Sequence, residues 1–147
     1  MKIRIRNRQK HIPLDSKKIR RVARRILAEL GLLDAELSVL FVNDLQIQAL
    51  NQQYLRRDKP TNVLAFPMRK GEFSILHPHL LGDIVISVET AKRQSNRFGL
   101  NEMGMITLLL VHGVLHLIGY EHEGIRKSAR EMAARQRELF QRVTRET

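Results

Sequence analysis

The chain has 147 residues, no cysteine, and 26 Lys and Arg against 15 Asp and Glu, a formal charge of +11. The length fits a single domain, 1–147, with a substantial core, and the lack of thiols excludes disulfides and thiolate metal sites, so any metal must rest on nitrogen and oxygen ligands. The charge points to polyanionic partners, nucleic acid first among them, with a basic surface kept only for solubility as the plainer alternative.

In chain order, MKIRIRNRQK comes first. It has no apolar h-region, and its Lys2, Arg4, Arg6, Arg8 and Lys10 alternate with Ile3 and Ile5. That period of two predicts a strand with one apolar and one basic face. From Ser16 to Leu30 the period becomes helical. Ile19, Val22, Ala23, Ile26, Leu27 and Leu30 form the apolar stripe, arginines line the other side, Ser16 is the expected N-cap and Gly31 the C′ residue. LSVLFVN (37–43) predicts a buried strand, and a helix from about Asp44 to Tyr54 follows. The basic segment LRRDKP then leads into NVLAFP, a strand closed by Pro67.

Residues 69–82 carry turn signals and predict a loop with His77 and His79 on the surface. GDIVIS (82–87) predicts a fourth strand, in which Asp83 is either a site residue or, as the favoured reading, a cap for nearby backbone donors. VETAKRQSNRF predicts a helix ending at Gly99. Residues 101–118 are apolar nearly all round, as a central core helix requires, and Gly119 ends them. After Gly124 a last helix carries Ile125, Ala129, Met132, Gln136, Leu139 and Val143 at helical spacing. The longest apolar stretch, MITLLLV, is too short to span a bilayer. A cytoplasmic protein without a membrane partner is expected; nothing in the residues indicates an oligomeric state. The expected fold is α/β (α+β): a single central sheet of about four strands with about five helices, one buried central helix carrying two metal ligands.

That helix contains the chemistry. In HGVLHLIGYEH (112–122), His112 and His116 stand four apart. Four helical residues advance about 6 Å and bring both imidazoles to one face. Gly119 permits a turn with positive φ that returns His122 toward the same point. A lone histidine on an apolar helix is usually a core residue. Three at this spacing predict a metal site, with one zinc ion first and nickel, copper or iron behind. Three neutral ligands leave a coordination position open, as in catalytic sites. The same spacing occurs in metzincin proteases, where Glu follows the first His as general base. Here that position is Gly113, which cannot take a proton. No motif for an organic cofactor is present.

HGVLHLIGYEH resembles the signature of the YbeY family, bacterial metal-dependent endoribonucleases of ribosomal RNA maturation. LNQQYLRRDKPTNVLAFP (50–67) is similar to the family's second block, LGDIVIS (81–87) to its third, and VETAKRQ (88–94) to the helix that follows. The resemblance implies an α/β fold of about four strands and five helices, with His112, His116 and His122 as zinc ligands. It also implies single-stranded or processing-site RNA as substrate, 16S rRNA 3′-end maturation and small-subunit quality control. The implied partners are ribosomal RNA, the small ribosomal subunit and its assembly factors. Two positions depart from the family pattern. Glu121 stands where Asp is usual, and Leu55 where the family carries an arginine important for activity.

On this reading the zinc acts as a Lewis acid on a phosphodiester and lowers the pKa of water. Arg56 or Arg57, the candidate catalytic residues, and Lys59 offset phosphate charge; the plainer reading of RRDK is a solvated turn. Arg4 and Arg6, with Arg56, Arg57, Lys59 and the arginines of the first helix, bind the RNA backbone. Aromatic residues are only 5% with no Trp, so shape and charge outweigh base stacking. Two other classes stay open: an RNA-binding ribosome assembly factor with a structural metal, and a zinc metalloprotease.

Overall fold

The computed structural model describes residues 1–68, 79–120 and 126–145. Among them the chain runs β1 (Lys2–Asn7), α1 (Ser16–Glu29), β2 (Glu36–Val42), α2 (Asp44–Leu55), β3 (Val63–Pro67), β4 (Leu80–Ser87), α3 (Val88–Arg97), α4 (Glu102–Leu117) and α5 (Arg126–Thr144). The four strands form one sheet in the order β1-β2-β4-β3. β1, β2 and β4 are parallel, while β3 runs antiparallel to β4 and makes one edge. This is the expected α/β class with its central mixed sheet.

Two boundaries differ from expectation. Asp15, not Ser16, caps α1: its Oδ1 accepts from Lys18 N–H at 3.1 Å, and Ser16 is already helical. β4 begins at Leu80, two residues early, because Leu80 pairs with Glu36 and Met68 N–H donates to Leu81 O at 2.9 Å. The ladder thus extends into a stretch whose turn-forming residues predict a loop. His79 is exposed, and its Nε2 lies 3.4 Å from Glu36 Oε1. His77 lies outside the described residues.

Alternation along the strands sorts the sheet into two faces. Ile3, Leu37, Val39, Phe41, Ile84 and Ile86 point into the main core, where α1, α4 and α5 cover them. Val42, Val85 and Leu64 point the other way and pack with Ile47 of α2. Each fully buried aliphatic side chain contributes about 1.5–3 kcal/mol. The long apolar run of α4 therefore reads as a core helix, with Met105, Leu110, Val111, Val114 and Leu115 at or near zero exposure. Among the described residues no single helix is long and apolar enough to cross a membrane.

Candidate active site

Helix α4 is capped by Asn101, whose Oδ1 accepts from Gly104 N–H at 2.7 Å. Its C-terminal half is buried except at His112 and His116, which are half-buried. These two imidazoles stand edge to face, with ring centroids 4.7 Å apart at 66°. Their shared direction follows from the i, i+4 spacing. Both line a cavity of about 330 Å³ at the free edge of β3, against Val63, Leu64 and Ala65. His112 Nδ1 lies 2.6 Å from Oε1 of Gln136 on α5.

The opposite wall comes from the end of α2 and the turn after it. Arg56 adopts a left-handed conformation, φ 57°, which closes α2 and redirects the chain. Arg57 N–H donates to Asn51 O at 3.3 Å, and Asn51 Nδ2 donates to Lys59 O at 3.0 Å. Gln48 Nε2 holds Asp58 Oδ1 at 3.0 Å. Asn51, only 2% exposed, thus folds 56–59 back over its own helix. The result places Leu55, Arg57 and Lys59 on the cavity wall, while Arg56 is not among its lining residues. Thr61 and Asn62 complete the polar part. Asn62 is held through Nδ2 to Gln94 Oε1 at 3.0 Å and through its carbonyl to Ser87 N–H at 3.0 Å.

Gly113 acquires a structural reason. A Cβ at this position would lie 2.9 to 3.1 Å from three side-chain carbons of Ile84. The helix therefore approaches β4 too closely for any side chain there, and a carboxylate at this position has no room. Gly119, with φ 107°, turns the chain after α4 as its position predicts. His122 and Glu121 lie outside the described residues. Among the described residues no group of three or more His, Cys, Asp or Glu side chains could hold a metal. The donor chemistry present, two adjacent imidazoles in a cavity with cationic walls, suits two ligands of a zinc-type ion that takes a third from elsewhere in the chain.

Three expectations change in the folded chain. Asp83 is exposed and its side chain makes no hydrogen bond or ion pair among the described residues, so it does not cap backbone donors. It shares a cross-strand row with Arg4, Ser38 and Phe66 on the sheet face turned away from α4. Arg20 is not a free surface cation: its guanidinium donates to Ile3 O and ties α1 to β1. Finally, Arg4 and Arg6 point to the face opposite the one α1 covers, and of the first-helix arginines Arg20 meets Arg4 along β1. Gln136 and Asn51 were not among the residues expected at the site. The one signal for Gln136 was a polar side chain on an otherwise apolar helical stripe.

An α/β scaffold that presents paired imidazoles from a core helix to a basic, sheet-edge cavity defines a candidate metal-binding protein for an anionic substrate. The family described as Endoribonuclease YbeY matches residues 4–144. Endoribonuclease YbeY of Geobacter metallireducens is 45% identical over 147 residues, covering 99% of this chain and 98% of that one. Its counterpart in Syntrophotalea carbinolica is 49% identical over 145 residues, covering 98% and 97%. A solution structure of a Thermotoga maritima protein superposes with a TM-score of 0.66 at 28% identity, covering 98% of this chain and 90% of that one. The chain belongs to the endoribonuclease YbeY family.

Proposed function

We propose that this protein is an endoribonuclease that hydrolyses phosphodiester bonds in ribosomal RNA, with one zinc ion held by His112, His116 and His122. The observation that carries this reading is the convergence of two imidazoles with Arg57 and Lys59 on one cavity. When bound, the zinc supplies Lewis acidity toward a phosphate oxygen and a lowered pKa for attacking water.

The chain's own residues do the rest. Arg57 and Lys59 face the position of the scissile phosphate and offset charge that grows in the transition state. Thr61 and Asn62 offer neutral donors and acceptors on the same wall. Asn51 and Gln48 pin the 56–59 turn and so fix the backbone from which Arg57 and Lys59 reach the cavity. Gly113 packs against Ile84 where a protease of matching histidine spacing needs its base, which supports nuclease over peptidase chemistry.

The finer reading is single-stranded RNA at the 3′ end of 16S rRNA, within small-subunit maturation and quality control. Its partners are then the small ribosomal subunit and its assembly factors. Family membership and the +11 charge support it. A circularised single strand carrying the small-subunit 3′ region tests it. The zinc-loaded protein should linearise the circle, leave the duplexed form intact and leave casein uncut. A circle that is bound but never opened would favour the assembly-factor role instead.

A further inference from the structure

We infer that Gln136 is a positioning residue that fixes the tautomer and ring orientation of His112, an inference that rests on the reading of His112 as a metal ligand. Gln136 lies half-buried on α5, between Met132 and Leu139, which are both buried in the main core. A carboxamide on such a stripe carries a desolvation cost unless it is hydrogen-bonded. Its partner is His112 Nδ1, 2.6 Å from Oε1. A carbonyl oxygen can only accept, so Nδ1 carries the proton and the lone pair resides on Nε2. The bond also restrains the rotation of the ring, since it joins two helices, α4 and α5, that pack together. A metal-binding histidine requires this arrangement: one nitrogen tied by a hydrogen bond, the other deprotonated toward the ion.

The opposite orientation of the amide has the opposite consequence. If the Gln136 amino group donated to Nδ1, the ring proton would move to Nε2 and no lone pair would face the cavity. The two arrangements are therefore distinguishable in the protein without metal. A carboxamide differs from a carboxylate at this position in one further respect. It holds the tautomer but adds no negative charge, so it does not raise the basicity of the ligand. Gln136→Glu should then preserve or strengthen metal binding, whereas Gln136→Leu should weaken it.

Long-range ¹H–¹⁵N spectra of the full-length, metal-free protein report the His112 tautomer directly. Wild type is expected to show Nδ1–H, and Gln136→Leu a shift toward Nε2–H, the form favoured by free histidine. Competition for zinc against a chromophoric chelator should show about 10–100-fold weaker binding in Gln136→Leu. Gln136→Glu should match or exceed wild type, and circular dichroism should confirm that both variants are folded. An Nε2–H tautomer in wild type overturns the inference, as does a Gln136→Leu protein with unchanged tautomer and unchanged zinc affinity. If wild type binds no zinc, the metal reading fails on its own, while the tautomer spectra still decide the role of Gln136.

Discussion

Arg56 and Arg57 are neighbours of the same type, yet the backbone separates them. With Arg56 in a left-handed conformation at the end of α2, Leu55 and Arg57 reach the cavity and Arg56 does not. Leu55, at 49% exposure, stands on the cavity wall, where Arg57 and Lys59 provide the positive charge. Removing Arg57 as Arg57→Ala should lower kcat/KM for RNA about 10–100-fold, the effect of losing one charge-assisted contact in the transition state. Arg56→Ala should stay within about 2-fold, because one surface charge adds little. Steady-state cleavage by the two variants decides this, and a larger loss in Arg56→Ala would place the wrong arginine in the site. The sequence narrowed the choice to two residues and no further, because a single φ value settles which one faces inward. The histidine pair was fully legible, since i, i+4 adjacency is a property of any helix. Its partner Gln136 was not, because that contact joins residues 24 apart in sequence on two different helices.

At the scale of elements, the N-termini of α2 and α3 lie against one another and are joined by side-chain hydrogen bonds. Asp44, first in α2, accepts from the hydroxyls of Ser87 and Thr90, both at 2.6 Å, and pairs with Arg93 at 2.7 Å. In return, Glu89 in the first turn of α3 accepts from Asp44 N–H at 2.7 Å. Each carboxylate thus sits near the positive end of the other's helix. Burial pushes the Asp44 carboxyl up, but hydrogen bonds from Ser87, Thr90 and Arg93, with the Arg93 charge, hold it below the ordinary aspartate value. A depressed folded value contributes stability above the unfolded pKa of about 3.9, and the contribution disappears as pH falls through the folded value. Asp44→Asn should therefore cost about 1 kcal/mol at pH 7. In urea titrations the gap to wild type should close below about pH 4, and a gap that persists unchanged at pH 3 would contradict the assignment. This junction also steadies the cavity, since Asn62 accepts from Ser87 N–H next to Asp44. Nothing local announced it: Asp44 and Glu89 each read as ordinary first-turn acids, and only the fold brings them together. Most element types, by contrast, were legible from period and caps alone. Where Leu80 joined β4 early, pairing with Glu36 overrode local turn signals.

Across the whole molecule, charge is divided by the sheet. Arg4 and Arg6 stand on the face away from α4, next to Ser38, Asp83 and Tyr54, while Arg21 and Arg24 are exposed on the far side of α1. The cavity lies at the β3 edge, about 14 Å from β1 across three strand spacings. A single strand running from β1 to the β3 edge can meet Arg4, Arg6 and the cavity, while Arg21 and Arg24 lie on the far side of α1. Each phosphate contact on a single strand steepens the salt dependence of log K by about 0.7. The Arg4→Ala/Arg6→Ala double variant should therefore flatten the slope by about 1.4, whereas Arg21→Ala/Arg24→Ala should leave it unchanged. Equal flattening by both pairs would mean that RNA wraps the protein on both sides. Net charge was legible in the composition, but its division was not, because alternation along β1 does not say which face other elements cover.

If the α4 imidazoles hold the metal that makes this cavity a nuclease, cleavage of a small-subunit RNA by wild type, chelator-treated wild type and His116→Ala will separate the three. Melting curves alongside should show all three folded. Wild type should cleave, lose activity on chelation and recover it on adding zinc, and His116→Ala should lose at least about 100-fold that zinc does not restore, on the order expected when a key transition-state interaction is removed. A folded His116→Ala protein that cuts at the wild-type rate would show that these imidazoles do not carry the cleavage.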